Sequence, residues 1–412
     1  MKLLDRYIVW NFSCSLLMWC GIFIGIYTLF DLLNNFDSFI GRVGFFETLS
    51  IIASYYFFHS FSFLDTLSPF LFLISAITLL KRMDQSNEII ALMASGVSRF
   101  RILIPLLLIA LFFSLLFFTV REVVIPTHLV NVVKTPDAYF EGGEGVVVKQ
   151  IRDMETRIRI SGDKVFSAEN RLHKPLFTLP PGFSAIESKI TAEDAVYFES
   201  GKLRKGIPAG WLLMKVQEGD LLRSSSVKRP NSDQDLILTP KDYSDILALD
   251  QCFIVSRVPV ELLAIGDQWV WYTSVFKLAE AANNPSLDFK KEDLQTRVHL
   301  RLLRPIIDLL PFFIFLPMIF FRNTKNITKE IGFCVFLTFV YMGLQYVCSY
   351  FGPKIDPFLA AWFPVLIFFP IAAVVFTELI LTPKMINKTA NIPAENTEKN
   401  RDKNYVKTDE KK

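Results

Sequence analysis

Histidine and cysteine are scarce, with four and five among 412 residues. His59, His128, His173 and His299 lie far apart and share no ligand-like spacing, which removes the usual zinc arrangements. Cys14, Cys20, Cys334 and Cys348 sit in apolar stretches and Cys252 stands alone, so neither a disulfide framework nor a metal site is implied. No G-x-x-x-x-G-K-[ST] loop is present to cradle a nucleotide, and G-x-S-x-G and H-E-x-x-H are both missing. An enzyme would need a nucleophile–base pair or a metal cluster, and the sequence offers neither. The enzyme alternative, an extracytoplasmic or intramembrane activity with a β module recognising substrate, therefore stands second. A net charge of only +3 gives little support to nucleic-acid binding.

What is present is apolar: 51% of residues are hydrophobic and 40 are Phe. They are gathered into spans, the pattern of an integral membrane protein. Tyr7 to Phe30 carries no charge, enough for one span of about 20 residues. It follows Lys2, Asp5 and Arg6 without a small-residue cleavage site, so a retained anchor is expected. The region Leu49 to Leu80 is too long for one perpendicular crossing and is interrupted by His59, Asp65 and Pro69. Leu49 to Leu64 reads as interfacial or tilted, and Thr66 to Leu80 as the better buried part. Ile102 to Val120 is the third span. Leu302 to Phe321, Ile331 to Phe351 and Phe358 to Leu381 are three more.

Between the two triplets the composition turns polar. Short β-rich runs such as Val146–Val148, Arg157–Ile160, Val165–Ser167, Ala195–Phe198 and Trp211–Val216 alternate with turn signals. Phe276 to Ala282 reads as a short helix. The expected fold is an α-helical membrane protein with six transmembrane helices and an all-β, sandwich or jelly-roll-like extracytoplasmic domain between helices three and four. The expected units are residues 1–121, 122–299 and 300–382, with a disordered Lys-rich tail at 383–412. Lys2, Arg6, Lys81, Arg82, Arg99, Arg101, Arg322, Lys325 and Lys329 fall on one side of the set. The positive-inside rule then places both termini in the cytoplasm.

Two stretches invite a functional reading. Ser86 to Ser98 looks like a short helix in a cytoplasmic loop, with Ser86 as N-cap and Gly96 just past the end. Ile89, Ile90, Leu92, Met93 and Val97 share one arc, Ala91, Ala94 and Ser95 oppose it, and Glu88 lies at the edge. Such a helix either packs on its own spans and headgroups or fills a groove on a partner. The second stretch holds Arg297, Arg301 and Arg304 at i, i+4 and i+7, on one side of a helix entering the membrane at its outer face. Guanidinium groups suit phosphate, whether of a substrate or of ordinary headgroups. Asp65, Asp308 and Glu378 are the few charges within spans.

The layout over residues 1–382 resembles the LptF/LptG lipopolysaccharide-export permease family. The resemblance is carried by LDRYI at Leu4–Ile8, SNEIIALMASGVS at Ser86–Ser98, RPI at Arg304–Ile306 and FGP at Phe351–Pro353. LDRYI leans toward the LptG half. The resemblance implies an inner-membrane permease subunit paired with a sister permease, with a coupling helix at 86–98 that contacts a cytoplasmic ATPase dimer through Glu88, Ile89, Leu92, Met93 and Gly96. It implies that ATP is bound by that partner, with no cofactor on this chain. It further implies a periplasmic jelly roll joined to β-bridge proteins, and lipopolysaccharide or lipooligosaccharide as substrate. By their spacing and phosphate-binding chemistry, Arg297, Arg301 and Arg304 are the lipid-contact candidates. A mechanotransmission subunit that moves no lipid is a third possibility. Family members can carry basic residues near the outer end of the first span, where this chain has Asn34, Asn35 and Asp37.

Overall fold

The structure, a computed structural model, describes residues 3–39, 44–136, 139, 145–180, 189–217, 219–229, 234–321, 327–351 and 354–381. The expected tail at 383–412, Arg322 and Lys325 of the charge bias, and Gly352 and Pro353 of the FGP motif lie outside these residues.

The chain opens with α1 (Leu3–Asn34), a single helical turn at Phe36–Phe39, α2 (Phe45–Gln85), α3 (Glu88–Ala94) and α4 (Arg99–Thr119). At about 1.5 Å per residue α2 is about 60 Å long, twice the hydrocarbon thickness of a bilayer. Its burial is one-sided along its length: Tyr55 and Tyr56 apart, the buried residues run from Asp65 to Met83. Pro69 lies within this part and has no N–H to offer the carbonyl of Asp65 four residues earlier. Beyond α4 the helix continues through a π turn, Val120–Val124, and further helical turns to Val133, and the first strand begins only at Val146.

Among the described residues twelve strands follow, all paired antiparallel: β1 (Val146–Val147), β2 (Ile151–Arg152), β3 (Arg159–Ser161), β4 (Lys164–Phe166), β5 (Arg171–His173), β6 (Leu176–Thr178), β7 (Lys189–Thr191), β8 (Asp194–Phe198), β9 (Gly210–Met214), β10 (Val227–Lys228), β11 (Asp235–Leu238) and β12 (Cys252–Val255). One sheet runs β1-β4-β5-β8-β9-β12-β11-β10 and the other β2-β3-β6-β7. Inward residues of both, among them Ile160, Phe177 and Ile190 opposite Leu172, Trp211 and Ile254, share one core. The expected strand at Arg157–Ile160 starts two residues later, because Arg157 adopts a left-handed turn conformation (φ 60°).

Short helices α5 (Val260–Ile265), α6 (Trp269–Tyr272) and α7 (Val275–Ala281) lead from the sheets to α8 (Lys291–Leu302), α9 (Arg304–Phe321), α10 (Ile327–Phe351) and α11 (Pro357–Leu381). The molecule is thus mostly helical, with a β region in the middle. Among the described residues four helical stretches are long and apolar enough to cross a membrane: Leu3–Asn34, Phe45–Gln85, Phe100–Thr127 and Pro357–Val374. α9 and α10 occupy the places of the other two expected spans.

Candidate functional site

The expected loop helix forms as α3, but its start differs from the sequence reading. Asn87, in the left-handed region (φ 58°), is the residue before the first turn. Ser86 instead closes α2, its N–H and Oγ both donating to the Arg82 carbonyl. The C-terminal end follows expectation: Gly96 (φ 86°) donates to Met93 O and Val97 to Leu92 O, a Schellman closure. The apolar arc is divided. Ile89 is buried, and Leu92, Met93 and Val97 are half-buried against the core formed by α1, α2 and α4. Ile90, 56% exposed, looks outward with Ala91, Ala94 and Ser95.

The LDRYI segment explains how α3 is held. Tyr7 Oη donates to Glu88 Oε1 at 3.1 Å. Asp5 receives Arg101 Nη2 on both carboxylate oxygens, at 3.0 and 3.1 Å. Two motifs separated by some eighty positions in the sequence therefore bond to one another.

At the other end of the helices, Arg297, Arg301 and Arg304 all line one cleft of about 400 Å³, together with Asp65, Arg121, Trp271, Gln345 and Tyr346. The single continuous helix expected for these arginines is absent. α8 ends at Leu302 and α9 begins at Arg304, because Pro305 lacks the N–H that would bond the Arg301 carbonyl and its ring crowds it. Each guanidinium has a different task. Arg301, 8% exposed, donates to the carbonyls of Val270, Trp271 and Thr273 and so closes the C-terminal end of α6. Arg304 Nε lies 3.0 Å from Asp308 Oδ1, while its Nη2 donates to the Asp65 carbonyl, the acceptor that Pro69 leaves open. Ser68 Oγ lies against both, 2.8 Å from Asp308 Oδ2 and 2.9 Å from the Asp65 carbonyl, with one proton for the two. Arg297 Cζ sits over the Trp271 indole, 3.7 Å from its centroid, a cation–π contact. Burial lowers the pKa of Arg297, and pushes that of Arg301 down to about 9.

Arg121 and Trp271 were not singled out by the sequence. Arg121 sits in the π turn and pairs with Asp65 Oδ2 at 2.8 Å, donating also to Trp271 O at 2.6 Å. Its neighbour Glu122 accepts from Val275 N at the start of α7. A π turn rotates the following residues relative to an α-helix and recurs at functional positions, but no local sequence pattern announces one. Trp271 is a junction, its carbonyl serving Arg121 and Arg301 and its ring serving Arg297. Chemically the cleft is a cationic recess in which four arginines face one lining aspartate, suited to an anionic group. Glu378 lies on α11, outside the described side chains.

Comparison with known proteins agrees with this architecture. No curated protein matches the chain. The family described as "Lipopolysaccharide export system permease LptF/LptG" matches residues 6–378, which takes in α3, the β domain and the arginine cleft. With nearly the whole chain matched, this multi-pass protein belongs to the LptF/LptG family of lipopolysaccharide export permeases.

Proposed function

We propose that the chain is one permease subunit, in the LptG position, of an ATP-driven transporter that extracts lipopolysaccharide from the inner membrane. Six spans cross the membrane with both termini cytoplasmic, and the β domain lies in the periplasm, where it passes the lipid to a β bridge. α3 docks on a cytoplasmic ATPase dimer, which binds the ATP. A sister permease completes the pathway. The observation that carries this reading is the pairing of two features at opposite ends of one helical bundle. One is an α3 fixed on its inner side with Ile90, Ala91, Ala94 and Ser95 outward. The other is an arginine-lined cleft beside the β domain. Small side chains at 91, 94 and 95 let a partner surface approach the helix closely, and Ile90 supplies an apolar anchor.

Purification from the native membrane tests it. The chain should bring down an ATPase and a second permease. Ile90→Asp should lose the ATPase while keeping the second permease, since a carboxylate cannot enter a packed apolar groove unpaired. Retention of the ATPase by Ile90→Asp would remove α3 as its docking element.

A further inference from the structure

α3 is tied to α1 as well as to its neighbours in the chain. We infer that Tyr7 and Asp5 are positioning residues that clamp α3 and the start of α4 to the cytoplasmic end of α1, so that displacement of α3 is delivered to α1 directly. The inference rests on the proposed docking of α3 and goes beyond it, because docking alone requires no connection to α1.

Chain connectivity joins α3 only to α2, through Ser86 and Asn87, and to α4, through residues 95–98. The bonds to α1 are additional, and they bracket α3. Tyr7 holds Glu88 at the first residue of α3, and Asp5 holds Arg101 in the first turn of α4, the helix that follows it. Ser86 Oγ lies 2.9 Å from the same Glu88 oxygen but also 2.8 Å from Arg82 O, and it has a single proton for the two. Among the described residues the Tyr7 hydroxyl donates to Glu88 Oε1. Asp5 and Arg101 form a charge-assisted contact, stronger than a neutral one. Between the two polar contacts the apolar surfaces are continuous, with Ile8 and Phe12 of α1 in one core with Met83, Ile89 and Ile102.

Packing along α1 is asymmetric in a way that suits this role. Its buried residues are Ile8, Phe12, Ser15 and Leu16, all in the cytoplasmic half. Beyond them it meets α2 through Trp19 with Thr78, Phe23 with Phe70, Tyr27 with Phe63 and Asp31 with Tyr56, and its Tyr27 and Leu32 pack on a second cluster of Phe39, Tyr55 and Tyr56. Leu17, Ile22, Ile26, Leu29, Phe30 and Leu33 are exposed along the same helix. A helix gripped at its cytoplasmic end carries displacement of the grip along its length to the aromatic contacts at its far end.

The test uses the full complex of chain, second permease and ATPase in proteoliposomes containing lipopolysaccharide. Three variants are compared: Tyr7→Phe, which removes one hydroxyl, Asp5→Asn, and the exchange Asp5→Arg with Arg101→Asp. The readouts are ATP hydrolysis, lipid released per ATP, and nucleotide-dependent labelling of a cysteine at Asn34, an exposed residue at the far end of α1. Tyr7→Phe and Asp5→Asn should keep the ATPase bound and hydrolysing, while release per ATP falls at least about threefold and the nucleotide dependence of Asn34 labelling is lost. The exchanged pair should restore both. Unchanged release and labelling in the single variants overturns the clamp. So does loss of ATPase binding in Tyr7→Phe, which would make the hydroxyl a support for docking only. Ile90→Asp separates the two levels. If it releases the ATPase while the clamp variants behave as wild type, docking stands and the clamp fails. If it retains the ATPase, the docking on which the clamp rests has failed first.

Discussion

Replacing Arg301 by Gln should loosen the junction between the β domain and the membrane helices without touching any partner surface. Arg301 serves three carbonyls, those of Val270, Trp271 and Thr273, at the end of a four-residue helix whose own geometry cannot satisfy them. Gln has two N–H donors, a shorter reach and no charge. Trp271 O keeps Arg121 as a donor, so two acceptors are at stake. An orphaned buried acceptor costs about 1–3 kcal/mol, and part of that is offset by removing a buried cation that lies near Arg121 and Arg297. A net local loss of about 2–4 kcal/mol follows, equivalent to a fall of about 30- to 700-fold in amide protection around α6. Hydrogen exchange on the protein in lipid nanodiscs reads this directly. Arg297→Gln is the control: its indole stack contributes about 0.5–1 kcal/mol, so protection around α6 should change less than about tenfold. Equal protection in wild type and Arg301→Gln would refute the assignment of Arg301 to closing α6.

Asp65→Asn and Arg121→Gln should each lower stability by about 1–3 kcal/mol, given a pair that is largely but not wholly buried. The double variant should lose less than the two combined by at least about 0.5 kcal/mol, and simple additivity in thermal unfolding would show that the pair is not coupled. For orientation, a cysteine introduced at Asp163 should react with an impermeant reagent from the periplasmic side while one at Asn326 is spared. The reverse pattern would invert the proposed topology.

Much of the helical framework was legible because long uncharged runs have few alternatives in water or lipid, as the Tyr7–Phe30 run within α1 illustrates. Alternation and turn residues placed most of the strands, although Arg157 turned out to be a left-handed corner. The site was legible only in part. Arg297, Arg301 and Arg304 were visible as charges out of pattern, but their division of labour depends on Pro305 breaking the helix between them and on carbonyls from α6. The role of Asp65 depends on Pro69 freeing a backbone acceptor that Arg304, more than two hundred residues away, then occupies. Arg121 was hidden by its π turn. For α3, periodicity grouped Ile90 with Ile89 and Leu92, yet the tertiary contacts of α1 and α2 settled which of them faces inward.

The most direct test of the proposed lipid path is photocrosslinking from the cleft itself. Tyr346 lines it and is largely exposed, so a photoreactive phenylalanine there disturbs little packing. In the full complex supplied with lipopolysaccharide and ATP, irradiation should yield a lipopolysaccharide adduct, and Arg297→Gln should reduce it severalfold while the ATPase remains bound. Adducts with phospholipid alone, or a lipopolysaccharide adduct indifferent to Arg297→Gln, would contradict a cleft that receives the anionic groups of the transported lipid.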